Sequence, residues 1–347
     1  MRRIPLYFMI FRSFLGYPRF LAKILNPKFI LNERLNNREF RLRKLYLRTL
    51  PIHAQIETTN ECNLNCKMCP RHLQKRKKGQ MTLEKFQKIV DQLPFVATVD
   101  LHGWGEPLLV KDLFKMVDYA YKYKGILCSF ATNGTLLNNE TIFKIINSHL
   151  YRVLFSIDTT DPEKVRDYQD FQMLIKNIKK LVNLQRNTRR SLRIQNGITL
   201  MKGNLDDIPN VIKLLNQVGV EDITAWAVTT HDQKLLGSQF DLQITEDVMK
   251  KVKALSFSGK VRFLGKLKRL LENNAEETNK ICRAPWRSCF ITWDGFVYPC
   301  CHLINERYCF GNVFETSFQE IWNSPEYRQF RAAFVNNPPE ICKRCGW

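Results

Sequence analysis

Three cysteines within eight residues constrain this chain more than any other feature. Cys62, Cys66 and Cys69 are separated by three residues and then by two, just after an apolar run. Thiolates this close in sequence converge on one soft metal centre. Three protein ligands leave one metal position open for a small molecule, whereas a structural zinc site closes with four. A cubane iron–sulfur cluster held this way keeps one iron open. A zinc loop and reactive surface thiols are the alternatives.

The stretch around and after this loop alternates short apolar runs with helical periodicity. Six strands are predicted, over residues 52–58, 99–103, 126–132, 151–157, 192–200 and 222–228. Strict alternation with helices implies a parallel sheet, and right-handed crossovers curl it into an open barrel. The predicted fold class is α/β, a partial (β/α)6 TIM-like barrel with a small C-terminal cysteine-rich domain. We predict a basic N-terminal extension over residues 1–50, the barrel core over 51–235, a helical connector over 236–280 and the cysteine-rich domain over 281–347.

Polar motifs follow three of the predicted strands, where barrels of this kind place their chemistry. These candidate residues are Gly105, Glu106 and Pro107 after the second strand, Asn133 after the third, and Ser156 and Asp158 after the fourth. Arg166 lies shortly beyond. Each motif alone is an ordinary turn or helix cap. Their order, each at a strand end after the cysteine loop, makes the combination informative.

A second group of cysteines closes the chain. It consists of Cys282, Cys300, Cys342 and Cys345. The Asp294-Gly295 pair predicts a hairpin that returns Cys300 to the side of Cys282. Four thiolates suit zinc or a fully ligated iron–sulfur cluster, and ligand chemistry does not separate the two. Cys128, Cys289, Cys301 and Cys309 are unassigned. Buried free thiols commonly behave as small apolar residues, and Cys301 is the first candidate for a direct, catalytic role.

The cysteine loop resembles that of the radical S-adenosylmethionine (radical SAM) enzymes. The resemblance implies that Cys62, Cys66 and Cys69 hold a catalytic 4Fe-4S cluster. In that family the open iron binds S-adenosylmethionine (SAM), whose reductive cleavage gives a 5'-deoxyadenosyl radical that takes a hydrogen atom from substrate. The implied SAM-binding residues are Gly105, Glu106, Pro107, Asn133, Ser156, Asp158 and Arg166. Trp104 stands where the family's Gly-Gly-Glu-Pro segment has its first glycine.

The C-terminal region resembles the SPASM extension of these enzymes, or its one-cluster form, Twitch. Cys282 and Cys300, with Gly295 between them, match the first half of that pattern, and Cys342 and Cys345 match its end. The resemblance implies that these four thiolates hold a second, auxiliary 4Fe-4S cluster. The denser middle cysteine group of two-cluster members is absent from the sequence, which argues against a further cluster.

Charge is concentrated at the N-terminus. The net charge is +21, and residues 1–50 hold twelve Lys and Arg against Glu33 and Glu39. The longest apolar run there is eight residues, far below the roughly twenty that span a bilayer. Two interpretations stay open: peripheral contact of residues 1–48 with an anionic membrane, or packing on the barrel with solvated arginines. Nucleic acid is disfavoured because no aromatic-basic RNA motif accompanies the charge.

These patterns predict a cytoplasmic radical SAM enzyme, with peripheral contact at the inner face of the membrane if residues 1–48 bind lipid. The eleven cysteines suit a reducing compartment, since seven fall in metal-like clusters. The expected substrate is a small molecule, a sugar or a lipid-linked molecule that undergoes oxidation or rearrangement. The expected electron donor is a flavodoxin or ferredoxin. One alternative is a peptide-modifying maturase, which would have a winged peptide-binding segment before the barrel. Another is a zinc-bearing nucleic-acid-binding protein.

Overall fold

The computed structural model describes residues 14, 16–161, 165–166, 168–188, 191–257, 261–272, 281–343 and 345. Residues 1–13 of the predicted extension and residues 258–260 and 273–280 of the predicted connector lie outside the described residues. The strands are β1 His53–Ile56, β2 Thr98–Asp100, β3 Leu127–Thr132, β4 Arg152–Phe155, β5 Arg193–Leu200, β6 Asp222–Ala227, β7 Arg262–Phe263, β8 Ser288–Ile291 and β9 Val297–Tyr298.

The helices that precede and alternate with the barrel strands are α1 Pro18–Ile24, α2 Pro27–Arg41, α3 Leu83–Asp91, α4 Leu113–Lys124, α5 Asn139–Asn147, α6 Phe171–Arg186 and α7 Ile208–Gln217. Those that follow are α8 Glu246–Phe257, α9 Gly265–Leu271, α10 Ala284–Arg287, α11 Phe318–Trp322, α12 Pro325–Asn336 and α13 Glu340–Lys343. Local chemistry sets several of their starts. Thr82 and Asp170 cap α3 and α6, and Asn138 forms a capping box with Thr141 at α5.

All nine strands form one sheet, in the order β7-β6-β5-β4-β3-β2-β1-β8-β9. The first eight strands are parallel to their neighbours, and β9 runs antiparallel to β8. The six predicted strands are present, so the predicted partial barrel is confirmed. The second strand ends at Asp100 rather than at residue 103. Beyond it the backbone crosses to the cysteine loop, where Glu106 N donates to Glu61 O at 2.8 Å.

The cysteine-rich region is continuous with the barrel. Its strand β8 pairs with β1, from His53 opposite Ser288 to Ile56 opposite Ile291. Trp322 Nε1 donates to Thr49 O at 3.0 Å, which attaches α11 to the segment before β1. The sequence predicted a small cysteine-rich domain here, and the structure adds that its hairpin extends the barrel sheet.

The helices before β1 pack on the rest of the protein, as one of the two interpretations of the N-terminus required. At the N-terminus of α1, Tyr17 Oη donates to Leu150 O at 3.1 Å, and Phe20 of the helix packs with Tyr17 and Leu127 near the N-terminal end of β3. In α2, Asn36 Nδ2 donates to Trp286 O at 2.7 Å. The inner sides of α1 and α2 are therefore occupied by barrel and C-terminal residues.

Candidate active site

The cysteine loop leaves the C-terminal end of β1 and is held by the segment that follows it. Thr59 Oγ1 donates to Gly79 O at 2.8 Å, and Asn60 Nδ2 donates to Lys77 O at 2.8 Å. Gly79 N donates in turn to Asn60 Oδ1 at 3.0 Å. These bonds close the base of the loop and fix where its thiols stand relative to the barrel.

Cys62, Cys66 and Cys69 lie together in this loop. Cys66 is buried and the other two are half-buried. Burial raises the pKa of Cys62 and of Cys69, and the negative charge of an ionised Cys66 raises both further. Because the charge of Cys66 acts on both Cys62 and Cys69, its sulfur lies close to each of theirs. Without a bound cation Cys62 and Cys69 stay protonated at neutral pH, and metal binding would release their protons.

The turn after β2 is packed directly on the loop. A Cβ added to Gly105 would lie 2.3 Å from Thr59 O and 2.5 Å from Glu61 O, so glycine is required for this close approach. Pro107 then begins a 3-10 turn over Pro107–Leu109. The contact fixes the position of Glu106, which lies between these two residues.

The Glu106 carboxylate ties the ends of β2 and β3 together. It is 2% exposed and accepts hydrogen bonds from Thr132 Oγ1 at 2.6 Å, Asn133 N at 2.9 Å and Leu108 N at 3.1 Å. Burial raises the pKa of Glu106, and these three bonds oppose the rise. Its contact with a ligand ammonium stays a prediction, since its observed partners are all within the protein.

Asn133 joins the end of β3 to the cysteine loop. Its Nδ2 lies 3.8 Å from Cys62 Sγ and donates to Asn63 Oδ1 at 3.0 Å. Its Oδ1 accepts from Thr135 N at 2.9 Å. The side chain therefore borders the first of the three thiols.

Asp158 and Arg166 form a buried ion pair beside the second thiol. Arg166 Nε and Nη2 both lie 2.7 Å from Asp158 Oδ2, and Thr199 N donates to Asp158 Oδ1 at 2.7 Å. Burial raises the pKa of Asp158, and the guanidinium opposes the rise. Arg166 Nη1 lies 3.9 Å from Cys66 Sγ. The sequence predicted that both residues bind SAM, and the structure shows that they also bind each other.

Ser156 takes part through its backbone. Its N donates to Thr132 O at 3.1 Å, and its carbonyl accepts from Tyr168 Oη at 2.7 Å. Burial raises the pKa of Tyr168, so its hydroxyl stays a neutral donor. Tyr168 was not predicted as a site residue, and its place two residues after Arg166 was the only sequence signal for it.

The second cysteine group assembles from three separate segments. Burial raises the pKa of Cys300, and the neighbouring Cys301, Cys282 and Cys342 raise it further. Burial and the charges of Cys345 and Cys282 raise the pKa of Cys342 to about 12. The structure therefore brings the four predicted thiols close enough for their charges to affect one another's pKa.

The hairpin predicted from Asp294-Gly295 is confirmed and positions this group. Its strands β8 and β9 pair antiparallel, with Gly295 between them at φ 92°. This is the left-handed region, and a Cβ there would also lie 2.5 Å from Asn312 Oδ1. The returning strand β9 leads directly to Cys300.

The spacing of the thiols bears on which metal they suit. Among the described residues, no three His, Cys, Asp or Glu side chains converge closely enough to hold one metal ion. A four-iron cluster is larger than one ion, so its thiolate ligands stand further apart. Soft thiolate donors suit both tetrahedral zinc and a four-iron cluster, so the donor chemistry alone does not separate the two.

Comparison with known proteins decides the family. The profile described as "Radical SAM superfamily" matches residues 56–215, and the SPASM profile, an "Iron-sulfur cluster-binding domain", matches residues 282–346. The chain is a radical SAM enzyme with a C-terminal SPASM domain. Enzymes of this type use SAM, a catalytic 4Fe-4S cluster and an auxiliary iron–sulfur cluster. The donor set fits these groups, since two clusters of soft thiolates lie in the two matched regions.

Relatives of this radical SAM enzyme differ in what they make. The AdoMet-dependent heme synthase of Oleidesulfovibrio alaskensis is 26% identical over 84% of this chain and 78% of its own length. The mycofactocin maturase MftC of Mycobacterium ulcerans is 27% identical over 85% of this chain and 79% of its own. Among solved structures, SuiB of Streptococcus suis bound to the precursor peptide SuiA shares the fold. It has a TM-score of 0.67 at 16% identity, over 93% of this chain and 75% of that one.

The lumen of the radical SAM barrel is partly polar, whereas barrel interiors are ordinarily filled by branched apolar side chains. The strand face that carries His53, Gln55, Asp100, Ser129, Arg152 and Gln195 also carries Ala131, Leu154 and Trp226, so this lumen is polar only in part. The side chains of His53, Asp100 and Arg152 keep 35%, 22% and 32% exposure although strands surround them. Charged and amide side chains therefore lie on one face of β1 to β5, which the apolar pattern of these strands did not predict.

Arg152 makes only long hydrogen bonds on this strand face. Its Nη2 lies 3.3 Å from Asp100 Oδ1 and 3.1 Å from Ser129 Oγ, and its Nη1 lies 3.4 Å from Gln195 Oε1. Its Nε is buried without a hydrogen-bond partner among the described residues. Because its hydrogen bonds are long and its Nε has no partner among the described residues, this guanidinium can donate to a further polar group.

Residues from both domains meet near the barrel mouth. His231 Nε2 and His302 Nδ1 are 3.0 Å apart, and Trp104 Nε1 donates to Cys301 O at 3.1 Å. Burial raises the pKa of Cys301 to about 12, so its thiol is protonated at neutral pH. These contacts connect the ends of β2 and β6 to the SPASM hairpin. Single His and Trp residues far apart in sequence gave no signal of this.

Glu57 and Arg76 form a further buried pair that sequence reasoning missed. Both guanidinium nitrogens donate to the carboxylate at 2.9 Å, and Glu57 is fully buried. A Cβ on Gly103 would lie 2.5 Å from Glu57 Cγ. Arg76 stands in a run of basic residues, Lys75 to Lys78, so its sequence context resembles a solvated loop.

Proposed function

We propose that this radical SAM enzyme modifies a peptide or a protein segment bound in the partly polar lumen of its barrel. The observation that carries the proposal is the row of charged and amide side chains on the inner face of β1 to β5. The amides and side chains of an extended peptide can form hydrogen bonds with the polar side chains along this face. MftC, a maturase, and SuiB, bound to a precursor peptide, support the same substrate class.

The cysteines have separate tasks in this account. Cys62, Cys66 and Cys69 hold the catalytic cluster, and Cys282, Cys300, Cys342 and Cys345 hold the auxiliary one. SAM, when bound, supplies the 5'-deoxyadenosyl radical that takes a hydrogen atom from the substrate. The side chains nearby do no covalent chemistry; they position the reacting groups and exclude side reactions.

The residues at the strand ends form the SAM cradle. Gly105 lets the turn approach the loop backbone, and Pro107 fixes the turn that follows. Glu106 and Asn133 hold the ends of β2 and β3 at the first thiol. Arg166 borders the second thiol, paired with Asp158, and its guanidinium would bind a ligand carboxylate. Ser156 contributes the backbone at the end of β4.

The substrate preferred from the sequence, a small molecule, sugar or lipid-linked molecule, has less support than its peptide alternative. Among the described residues before β1 there are two helices and no strand, so no winged segment stands there. Peptide binding would therefore depend on the barrel itself, together with the mouth formed by Trp104, His231 and His302. A flavodoxin or ferredoxin is the proposed electron donor. Peripheral membrane contact is a separate proposal that rests on the surface of α2.

A protease treatment distinguishes the substrate classes. Anaerobic enzyme with dithionite and SAM is incubated with an extract of the cells from which the gene comes, and 5'-deoxyadenosine is measured above the extract-free rate. The Cys62→Ala variant is the matched inactive control. We expect the extract to stimulate 5'-deoxyadenosine formation and protease treatment of the extract to remove the stimulation.

The opposite result is equally clear. Stimulation that survives complete proteolysis and passes a small-pore filter would contradict a peptide substrate. A mass change in a porphyrin rather than in a peptide would instead align the enzyme with its heme synthase relatives.

A further inference from the structure

The outward side of α2 is apolar, although its inner side already packs on the protein. The buried residues of the helix are Phe29, Asn32, Asn36 and Phe40. On the other side, Leu31, Leu35 and Leu42 are 58%, 36% and 56% exposed. Residues four and seven apart share a helix face, so these leucines form one row. A helix that packs inward through two asparagines and displays leucines has the reverse of the usual pattern.

Further exposed apolar side chains lie just before and after the helix. Leu25 precedes α2, and Leu45 and Tyr46 follow it, with 56%, 40% and 59% exposure. Of the fourteen exposed large apolar side chains among the described residues, six lie within residues 25–46. Single exposed apolar residues need no explanation, but a concentration of them marks an interaction surface.

The charges around these side chains are almost all positive. Exposed cations in the same segment are Lys28, Arg34, Arg38, Arg41, Lys44 and Arg48. The two acidic residues of this segment are each paired with another group of the protein. Glu39 accepts from Arg48 N and from Thr49 Oγ1, and Glu33 lies 3.7 Å from Arg287 Nη2. The outer surface therefore keeps its cations uncompensated by nearby carboxylates.

We propose that this face, called the α2 surface, binds the anionic headgroup region of a phospholipid bilayer. It comprises Leu31, Leu35 and Leu42 with the flanking Leu25 and Leu45 and the six cations. Leucines beside arginines suit a membrane interface, where apolar groups enter the acyl boundary and cations stay at the phosphates. Among the described residues, no helix has the length and apolar character to cross a bilayer. The contact is therefore peripheral, and it is independent of which substrate the barrel takes.

Vesicle co-sedimentation of the cluster-loaded, full-length enzyme tests the proposal. Vesicles of equal parts phosphatidylcholine and phosphatidylglycerol are compared with pure phosphatidylcholine vesicles. We expect binding to the first and not the second, with loss in high salt. Replacing one cation of the pair Arg34 and Arg38 by glutamine should weaken binding about fivefold, and replacing both about 25-fold. The variant Leu31→Asn/Leu35→Asn/Leu42→Asn should lose binding to the same vesicles.

Matched controls come from α6, far from the α2 surface in sequence. Lys176→Gln/Lys179→Gln removes two exposed cations, and Met173→Asn/Leu184→Asn removes two exposed apolar side chains. Both should bind anionic vesicles as the wild type does. Thermal unfolding and 5'-deoxyadenosine formation should be unchanged in all variants, which separates a surface effect from misfolding.

Three results would overturn the proposal. The first is full vesicle binding by the triple leucine variant, which would place the contact in residues 1–13. The second is equal binding to neutral and anionic vesicles. The third is binding to soluble poly-glutamate but not to anionic vesicles, which would make the surface a site for an acidic protein.

Discussion

The catalytic loop and the auxiliary cysteine group of this enzyme are built in opposite ways. The loop takes three thiols from eight consecutive residues, and bonds from residues 77–79 and from Glu106 fix it to neighbouring strand ends. The auxiliary group takes four thiols from segments that are up to 63 residues apart. The first site is therefore local and braced from several sides. The second exists only when the β8–β9 hairpin and α13 are both in place.

The sheet nevertheless connects the two regions. Because β8 pairs with β1, the strand that delivers the catalytic loop lies beside the strand that opens the auxiliary hairpin. From this contrast we expect replacement of one ligating cysteine to affect only its own cluster. A change where β1 and β8 meet their neighbouring strands should affect both sites. The predictions below test that division, from the largest expected effect to the smallest.

Removing a ligand of the catalytic loop should abolish the chemistry. In Cys66→Ala, 5'-deoxyadenosine formation should fall to the level of enzyme-free controls, because two thiolates do not hold a cubane. Iron should fall by about half from about eight atoms per chain, the content expected for two cubanes. Cys128→Ala is the matched control, since this buried thiol lies on the helix side of β3. Full iron content and activity in Cys66→Ala would contradict the assignment of Cys66 as a ligand of the catalytic cluster.

Removing a ligand of the auxiliary group should spare the first cluster. Cys300→Ala should also lose about half the iron, yet still cleave SAM when reduced. Conversion of substrate should stop. Cys289→Ala, which removes a buried thiol from the adjoining strand, should keep both clusters. Loss of all iron in Cys300→Ala would show that the two sites are not separable.

Crowding the shared strand end should affect the catalytic site through the fold. Gly105→Ala places a methyl group against Thr59 O and Glu61 O, so the turn after β2 must move away from the loop. We expect about 1–3 kcal/mol of lost unfolding free energy, together with weaker SAM binding. In Gly237→Ala, which has φ 76° but open space around it, only a conformational cost of about 1 kcal/mol is expected. Denaturant unfolding and SAM titration measure both quantities, and equal effects in the two variants would contradict the close contact.

Asp100, on the inner face of β2, should give a small, pH-dependent effect on stability. Burial tends to raise the pKa of Asp100, but His53, His102, Arg152 and the bond from Ser129 outweigh it, so the pKa is below its ordinary value. Such a carboxylate stabilises the fold above its unfolded pKa, and the contribution disappears as the pH falls through the folded pKa. Asp100→Asn should therefore lower the unfolding free energy by about 1 kcal/mol at neutral pH, with the difference shrinking below about pH 4.

Urea unfolding at several pH values measures this difference. Asp91→Asn, at an exposed carboxylate that pairs with Lys124, is the control and should change stability little at any pH. A gap between Asp100→Asn and wild type that stays constant to the lowest accessible pH would remove the ionised carboxylate from the account.

Much of the barrel followed from sequence because its signals are local. Alternating apolar runs predicted β1 to β6, and Asp294-Gly295 predicted the hairpin, since each depends on a few neighbouring residues. The pairing of β8 with β1 joins residues more than 230 positions apart. No local pattern specifies such a partner, so the continuity of the two domains was missed.

Site residues divide in the same way. The thiols were predicted from their spacing, and the structure gathers both groups. The partners of charged residues were not, because Asp158 with Arg166 and Glu57 with Arg76 depend on how loops return to the strands. The polar side chains on the inner strand face were also missed, because alternation within a strand does not tell which face will be the inner one.

The most direct test of the account is the electron paramagnetic resonance spectrum of the reduced protein lacking all four auxiliary thiols. In Cys282→Ala/Cys300→Ala/Cys342→Ala/Cys345→Ala, one reduced cubane should remain, held by Cys62, Cys66 and Cys69. Adding SAM should change its spectrum, because the open iron gains a ligand. A spectrum that is the same with and without SAM would contradict a catalytic cluster with an open coordination position.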